Sequence, residues 1–181
     1  FILMTEKIDL KKELDQFYKP SSSKLEIVNV PSFKFLMIDG IDARPESKSF
    51  QDAIQTLFSV SYKTKFSVKK DKEIDYSVMP LEGLWWADDM NDFINLNKNK
   101  WRWTLMIMQP EFITNEIIQN SIREVKKKNN LESLDKLRLE KFKEGLAAQI
   151  MHIGPFSKEH DNILKLHELI SLHSSCYCNT K

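Results

Sequence analysis

The chain has 181 residues, of which 41% are hydrophobic and 29% charged, and its formal net charge is +1. Such a composition supports a sizeable core in a soluble globular protein. The near-neutral balance provides no field to steer the chain onto nucleic acid or a membrane, and no apolar run approaches membrane-spanning length.

Taken in order, Phe1-Ile2-Leu3-Met4 is too short for a signal peptide, and Met4 reads as the natural start. Ile8, Leu10, Leu14 and Phe17 among charged residues predict a short helix over Lys7–Tyr18, stopped by Pro20. Residues 1–23 therefore read as an N-terminal extension, closed by the linker Ser21-Ser22-Ser23. Lys24–Val30 and Phe33–Asp39 are two strand-like runs around Pro31-Ser32, followed by a loop over Gly40–Glu46. Ser47–Tyr62 reads as a helix with Ser47 or Ser49 as its cap. Phe50, Ala53, Ile54, Leu57, Phe58 and Ser61 form its buried stripe. Lys63–Asp75 is polar and reads as a turn region.

Ile74–Trp86 and Trp101–Met108 read as two strands, joined by an Asn- and Lys-rich connection over Asp88–Lys100 and holding all four tryptophans between them. Alternation places Trp101, Trp103, Leu105 and Ile107 on one face of the second strand. Arg102, Thr104, Met106 and Met108 fall on the other. One face covers helices; the other either packs as core or lines a cavity for a flat, apolar small molecule. Pro110 ends the strand. Thr114 caps a helix with the stripe Ile113, Ile117, Ile118, Ser121, Ile122 and Val125, ended by Asn129-Asn130. Leu137–Lys143 and Leu146–Ile153 read as strands around Gly145. After Gly154-Pro155, Ser157 caps a last helix carrying Ile163, Leu166, His167 and Ile170. The element order resembles one strand-helix-strand-strand unit used twice, with the second use stopping early. This predicts an α+β fold with an antiparallel sheet, helices on one face and a concave face opposite.

Glu82, at a strand end before Gly83, is either a carboxylate at a cavity mouth or an exposed turn residue. Trp85 and Trp86 are adjacent, so at most one ring faces a ligand and the other is structural. His152 is a structural residue or a catalytic one. Tyr76 offers a hydroxyl or fills core space, and Glu111 serves the next helix electrostatically. No phosphate-binding glycine loop, nucleophile elbow or H-E-x-x-H motif is present. His173, Cys176 and Cys178 make only a weak zinc signal, so no metal or cofactor is expected. With two cysteines, both near the end, a reducing cytoplasm is the expected setting.

Four stretches in combination resemble the GyrI-like (gyrase-inhibitor-like) small-molecule-binding family. They are Phe35–Gly40, Met79–Trp86, Trp101–Pro110 and Ile150–Ser157. The resemblance runs from about Leu10 to Ile170 and is strongest to a stand-alone bacterial branch that includes cyclopropanoid hydrolases. It implies a domain over residues 24–172, bulky aromatic and sometimes cationic ligands, and, in some members, opening of a strained cyclopropane by water. Glu82, Trp85, Trp86, Trp103, Met106, Met108 and His152 are the expected ligand-binding residues. Two alternatives remain: a protein-interaction module that inhibits DNA gyrase, and a ligand-sensing domain of a transcription regulator. The second is disfavoured because no helix-turn-helix precedes Lys24.

The family usually has a second glycine soon after Gly40, where this chain has Asp42. Its members also continue after the last helix with two strands, the first bearing a pocket glutamate. Residues 173–181 match neither strand, so this glutamate has no counterpart here. The expectation is a truncated or frame-shifted tail, low stability, self-association through an unpaired sheet edge, and little or no hydrolase activity.

Overall fold

The computed structural model describes residues 7–89, 91–92, 95–155 and 158–177, with side chains to Leu172. The fold is α+β. Two single-turn helices, α1 (Leu10–Glu13) and α2 (Asp15–Tyr18), lead into strand β1 (Glu26–Ile41). Helix α3 (Lys48–Lys72), β2 (Leu81–Trp86), β3 (Arg102–Gln109), α4 (Asn115–Lys126), β4 (Arg138–Gln149) and α5 (His160–Tyr177) follow. The four strands form one antiparallel sheet in the order β2-β3-β1-β4.

Local chemistry explains where the elements depart from the sequence expectation. The two runs around Pro31-Ser32 are one 16-residue strand. Proline lacks the N–H that a ladder needs, so it is excluded from doubly paired positions. Here β3 pairs with β1 only from Lys34 to Ile41, which leaves Pro31 outside that ladder. Likewise Gly145 does not split β4. It takes φ +77° inside a continuous 12-residue strand, a conformation open to glycine at no steric cost. Helix α3 runs ten residues beyond the expected end at Tyr62. Thr64 and Val68 continue the buried row of Leu57 and Ser61 one and two turns on, and lysine is a good helix former. The helix stops where Glu73 adopts the left-handed conformation. Ser47 is the N-cap residue of α3, but its side chain makes no capping hydrogen bond. The cap at Thr114 forms as expected, its hydroxyl accepting from the Ile117 N–H at 3.3 Å.

The chain divides into two compact units, residues 1–10 with 33–142 and residues 11–32 with 143–181. In the first, α3 and α4 pack together and α3 lies on β3. The core between them includes Leu36, Ile38, Leu57, Val60, Leu105, Ile107 and Ile118, each at most 2% exposed. Burying side chains of this size stabilises by about 1.5–3 kcal/mol apiece. A polar seam runs through the same layer. Thr64 donates its hydroxyl to Ser121 at 2.9 Å, and the Gln109 amide donates to Ser61 at 3.3 Å. In the second unit the Met151 N–H donates to the Ser21 carbonyl, and the Gln149 amide donates to the Gln16 carbonyl and the Glu26 carboxylate. Along α5, Ile163, Leu166 and Leu169 are half-buried, whereas His167 and Ile170 of the expected stripe are exposed. The expected cap Ser157 lies outside the described residues.

Candidate functional site

The register of β2 and β1 on β3 decides which side chains meet. Directly opposed residues of an antiparallel pair point to the same face of the sheet. One face therefore carries the rows Leu81–Ile107–Leu36, Gly83–Leu105–Ile38 and Trp85–Trp103–Gly40. This is the helix-facing side. Phe50 of α3 lies 5.7 Å from the Trp85 ring and 5.4 Å from the Trp103 ring. Both indoles are seated on glycine. A Cβ at Gly40 would stand 2.1 Å from the Trp103 ring, and one at Gly83 would stand 2.9 Å from the Trp85 ring. The Trp103 indole N–H also donates to the Asp42 carbonyl at 3.2 Å. Trp103 is thus a buried structural ring at 1% exposure, while Trp85 closes the margin of the same layer.

The opposite face carries the rows Glu82–Met106–Met37, Leu84–Thr104–Asp39 and Trp86–Arg102–Ile41, with Met108 opposite Phe35. It is graded from one end to the other. Phe35, Met37, Met106 and Met108 are each 4% exposed and make an apolar, polarizable floor. Glu82 and Leu84 are half-buried. At the far end Trp86 and Ile41 are exposed by 42% and 51%.

Charged groups frame that open end. Asp39 accepts from the Thr104 hydroxyl at 2.6 Å and from Arg138 on β4, whose guanidinium nitrogens reach its two carboxylate oxygens at 3.0 and 2.9 Å. Arg138 also meets Glu140 at 3.0 Å. One aspartate thereby ties β3, β1 and β4 together across the face, and the two-pronged contact fixes the guanidinium geometrically. Arg102 pairs with Asp88 at 2.8 Å and holds that carboxyl below its usual range, chiefly by hydrogen bonding. Phe142 of β4 packs edge-on against Phe35 at 6.4 Å.

The structure therefore divides the sequence-predicted residues. Glu82, Trp86, Met106 and Met108 share one face, and Trp85 and Trp103 stand on the other. His152 belongs to the second unit, where its ring nitrogens contact the Pro155 carbonyl at 3.1 Å and the Asn162 amide at 3.2 Å. Both nitrogens thus have partners, one in the following turn and one on α5. Tyr76 is 2% exposed, packs edge-on against Phe112, and its hydroxyl has no hydrogen-bond partner among the described residues; burial pushes its pKa up. Glu111 pairs with Lys141 at 2.7 Å, which lowers its pKa. Sequence reasoning missed Asp39, Arg138 and Glu140. Their alternation along β1 and β4 was visible, but the pairing of these distant strands was not. The metal-type donors His173, Cys176 and Cys178 lie outside the described side chains.

The geometry defines an α+β protein with a buried, methionine-rich sheet face that opens onto a tryptophan and a ring of charge. No family model matches the chain, and no curated protein matches it. Solved structures do, among them three crystal structures from Listeria innocua. An uncharacterized conserved protein is 35% identical with a TM-score of 0.81, the alignment covering 93% of this chain and 82% of that one. A protein described as a hydrolase is 33% identical with a TM-score of 0.77, over 93% and 85% of the two chains. A hydrolase encoded by lin2189 is 34% identical with a TM-score of 0.77, over 93% and 82%. At that identity and coverage, the chain belongs to the family of these Listeria proteins. Among the described residues no helix is long and apolar enough to cross a membrane.

Proposed function

We propose that this chain is a GyrI-like small-molecule-binding protein that takes bulky aromatic compounds on the Glu82–Trp86–Met106 face and hydrolyses strained, cyclopropane-type electrophiles among them. The observation that carries the reading is the composition of that face: an exposed indole at one end, a methionine floor at the other, and a half-buried carboxylate beside Met106. An aromatic ring stacks on Trp86, and the apolar wall of Leu84 and Ile41 excludes water from its edges. Two of the structurally similar Listeria proteins are described as hydrolases, which supports a reaction with water. Glu82 is half-buried and lies directly opposite Met106 on this face, and it is the carboxylate assigned to the water. It accepts a proton as the water oxygen bonds to the ring carbon. The carbon–carbon bond of the three-membered ring breaks, and its electron pair passes to the attached ring system, which is protonated in turn.

Two measurements on the intact chain test this. Rhodamine 6G and tetraphenylphosphonium should quench tryptophan fluorescence, and Trp86→Ala should weaken binding severalfold. An aromatic cyclopropane electrophile should gain one water, read by mass spectrometry, and Glu82→Gln should abolish the gain while leaving binding of the dyes in place. Dye binding without any hydrolysis would reduce the protein to a carrier. No binding of aromatic compounds, together with inhibition of gyrase supercoiling without a ligand, would replace the proposal with the interaction module.

A further inference from the structure

The first unit carries a second aromatic surface, remote in sequence from the sheet face. Phe58, Tyr62 and Phe66 recur every fourth residue along α3. Their rings stack in series, with centroids 6.4 Å apart at both steps and interplanar angles of 28° and 26°. Tyr62 is 47% exposed and Phe66 59%. Beside Phe66 a groove of about 310 Å³ opens between α3 and α4, at the lower end of the size range of small-molecule sites. Its floor includes Ser121, whose hydroxyl is already satisfied by Thr64 and the Ile117 carbonyl.

Charge fixes the kind of ligand. Lys63 and Lys70 both line the groove. They stand seven residues apart, about 10.5 Å along the helix axis, with Phe66 between them. Two carboxylates also line it, and one of them, Glu124, is neutralised by a lysine from outside the groove. Glu124 is bound by Lys127 at 2.6 Å and lies only loosely, at 3.9 Å, from Lys63. Asp71 accepts from the Ser67 hydroxyl at 3.0 Å. The neighbouring Lys65 and Lys69 pair with Asp75, and the Lys65 ammonium also lies 5.7 Å from the Phe66 ring centroid. Among the described residues Lys70 has no ion pair. An exposed ring with a free ammonium at one end and a loosely held one at the other suits a flat apolar body bearing a negative group. We propose that this groove is a second ligand site, separate from the sheet face, for a planar aromatic anion such as an aryl sulfonate or carboxylate.

The test uses 8-anilinonaphthalene-1-sulfonate and, as the same ring system without the charge, N-phenyl-1-naphthylamine. In ¹⁵N-resolved spectra of the intact chain the sulfonate should shift the amides of Phe66–Lys70 and Asn120–Glu124. Lys63→Gln with Lys70→Gln should weaken the sulfonate at those amides about tenfold, as loss of two charge contacts predicts, and leave the neutral dye unchanged. Phe66→Ala should weaken both dyes. Phe66, Lys63 and Lys70 all reach solvent, and melting curves will verify that the variants fold. Trp86→Ala should leave the groove shifts intact, which separates this site from the sheet face. Sulfonate shifts confined to the sheet face, or groove shifts unmoved by the double lysine substitution, overturn the proposal.

Discussion

Gly40→Ala should unseat Trp103, and the size of the effect follows from the contact distances. The new Cβ would meet the Trp103 ring at 2.1, 2.3 and 2.7 Å. Carbon atoms settle at about 3.5–4.0 Å, so the indole must retreat by well over an ångström. It has nowhere to go. Trp103 is 1% exposed, Phe50 sits 5.4 Å away, and the indole N–H is bonded to the Asp42 carbonyl. Overpacking of this kind costs about 1–3 kcal/mol, and loss of the hydrogen bond adds about 1 kcal/mol. A total near 3 kcal/mol corresponds to a melting temperature lower by roughly 6–12 °C for a chain of this length. Differential scanning calorimetry reads it directly. The clash is with the six-membered ring, so Gly40→Ala combined with Trp103→Phe should be less destabilising than the sum of the single changes. A melting point within 2 °C of wild type, or strict additivity, would refute the seating of Trp103 on Gly40.

The two adjacent tryptophans should separate by phenotype: Trp86→Ala weakens aromatic ligands with little loss of stability, and Trp85→Ala lowers the melting point through Phe50 without changing affinity, as fluorescence titration and calorimetry will show. Gly145→Ala should cost about 1–2 kcal/mol, since φ of +77° excludes ordinary side chains; an unchanged urea midpoint would contradict this. Acid should destabilise the fold. A hydrogen bond from Arg44 depresses the Asp42 carboxyl to about 2, whereas in an unfolded chain it titrates near ~3.9. Its contribution is therefore complete above about pH 4 and is lost as pH falls toward the folded value, so Asp42→Asn should flatten the acid limb of a urea-midpoint profile.

Much of the first unit was legible because its signals are local. Alternation in Trp101–Met108 assigned both faces of β3, and the stripe from Ile113 to Val125 with its Thr114 cap located α4. Two departures share a cause: a punctuation residue carries only its average meaning in the sequence. Pro31 and Gly145 read as breaks because their tolerance depends on where a partner strand stops or bulges, and that is tertiary information. The polar surface of Lys63–Lys72 masked the continuation of α3, whose buried side there is only Thr64 and Val68. The same limit applies to the site. Glu82, Trp86, Met106 and Met108 came from neighbouring segments, whereas the Asp39–Arg138–Glu140 clamp joins residues about a hundred positions apart. The edge strand β4 also bears on the expected self-association. It presents Lys141, Lys143 and Glu144 together with the positive φ at Gly145, features that oppose pairing of one edge with another.

Methyl-resolved NMR of the intact chain with tetraphenylphosphonium tests the sheet-face assignment most directly. The account predicts ring-current shifts at the methyl groups of Ile41, Leu84 and Met106, lost in Trp86→Ala, with Ile38, Leu105 and Ile107 on the helix-facing side unmoved. A ligand that binds while Ile41, Leu84 and Met106 keep their positions would contradict it.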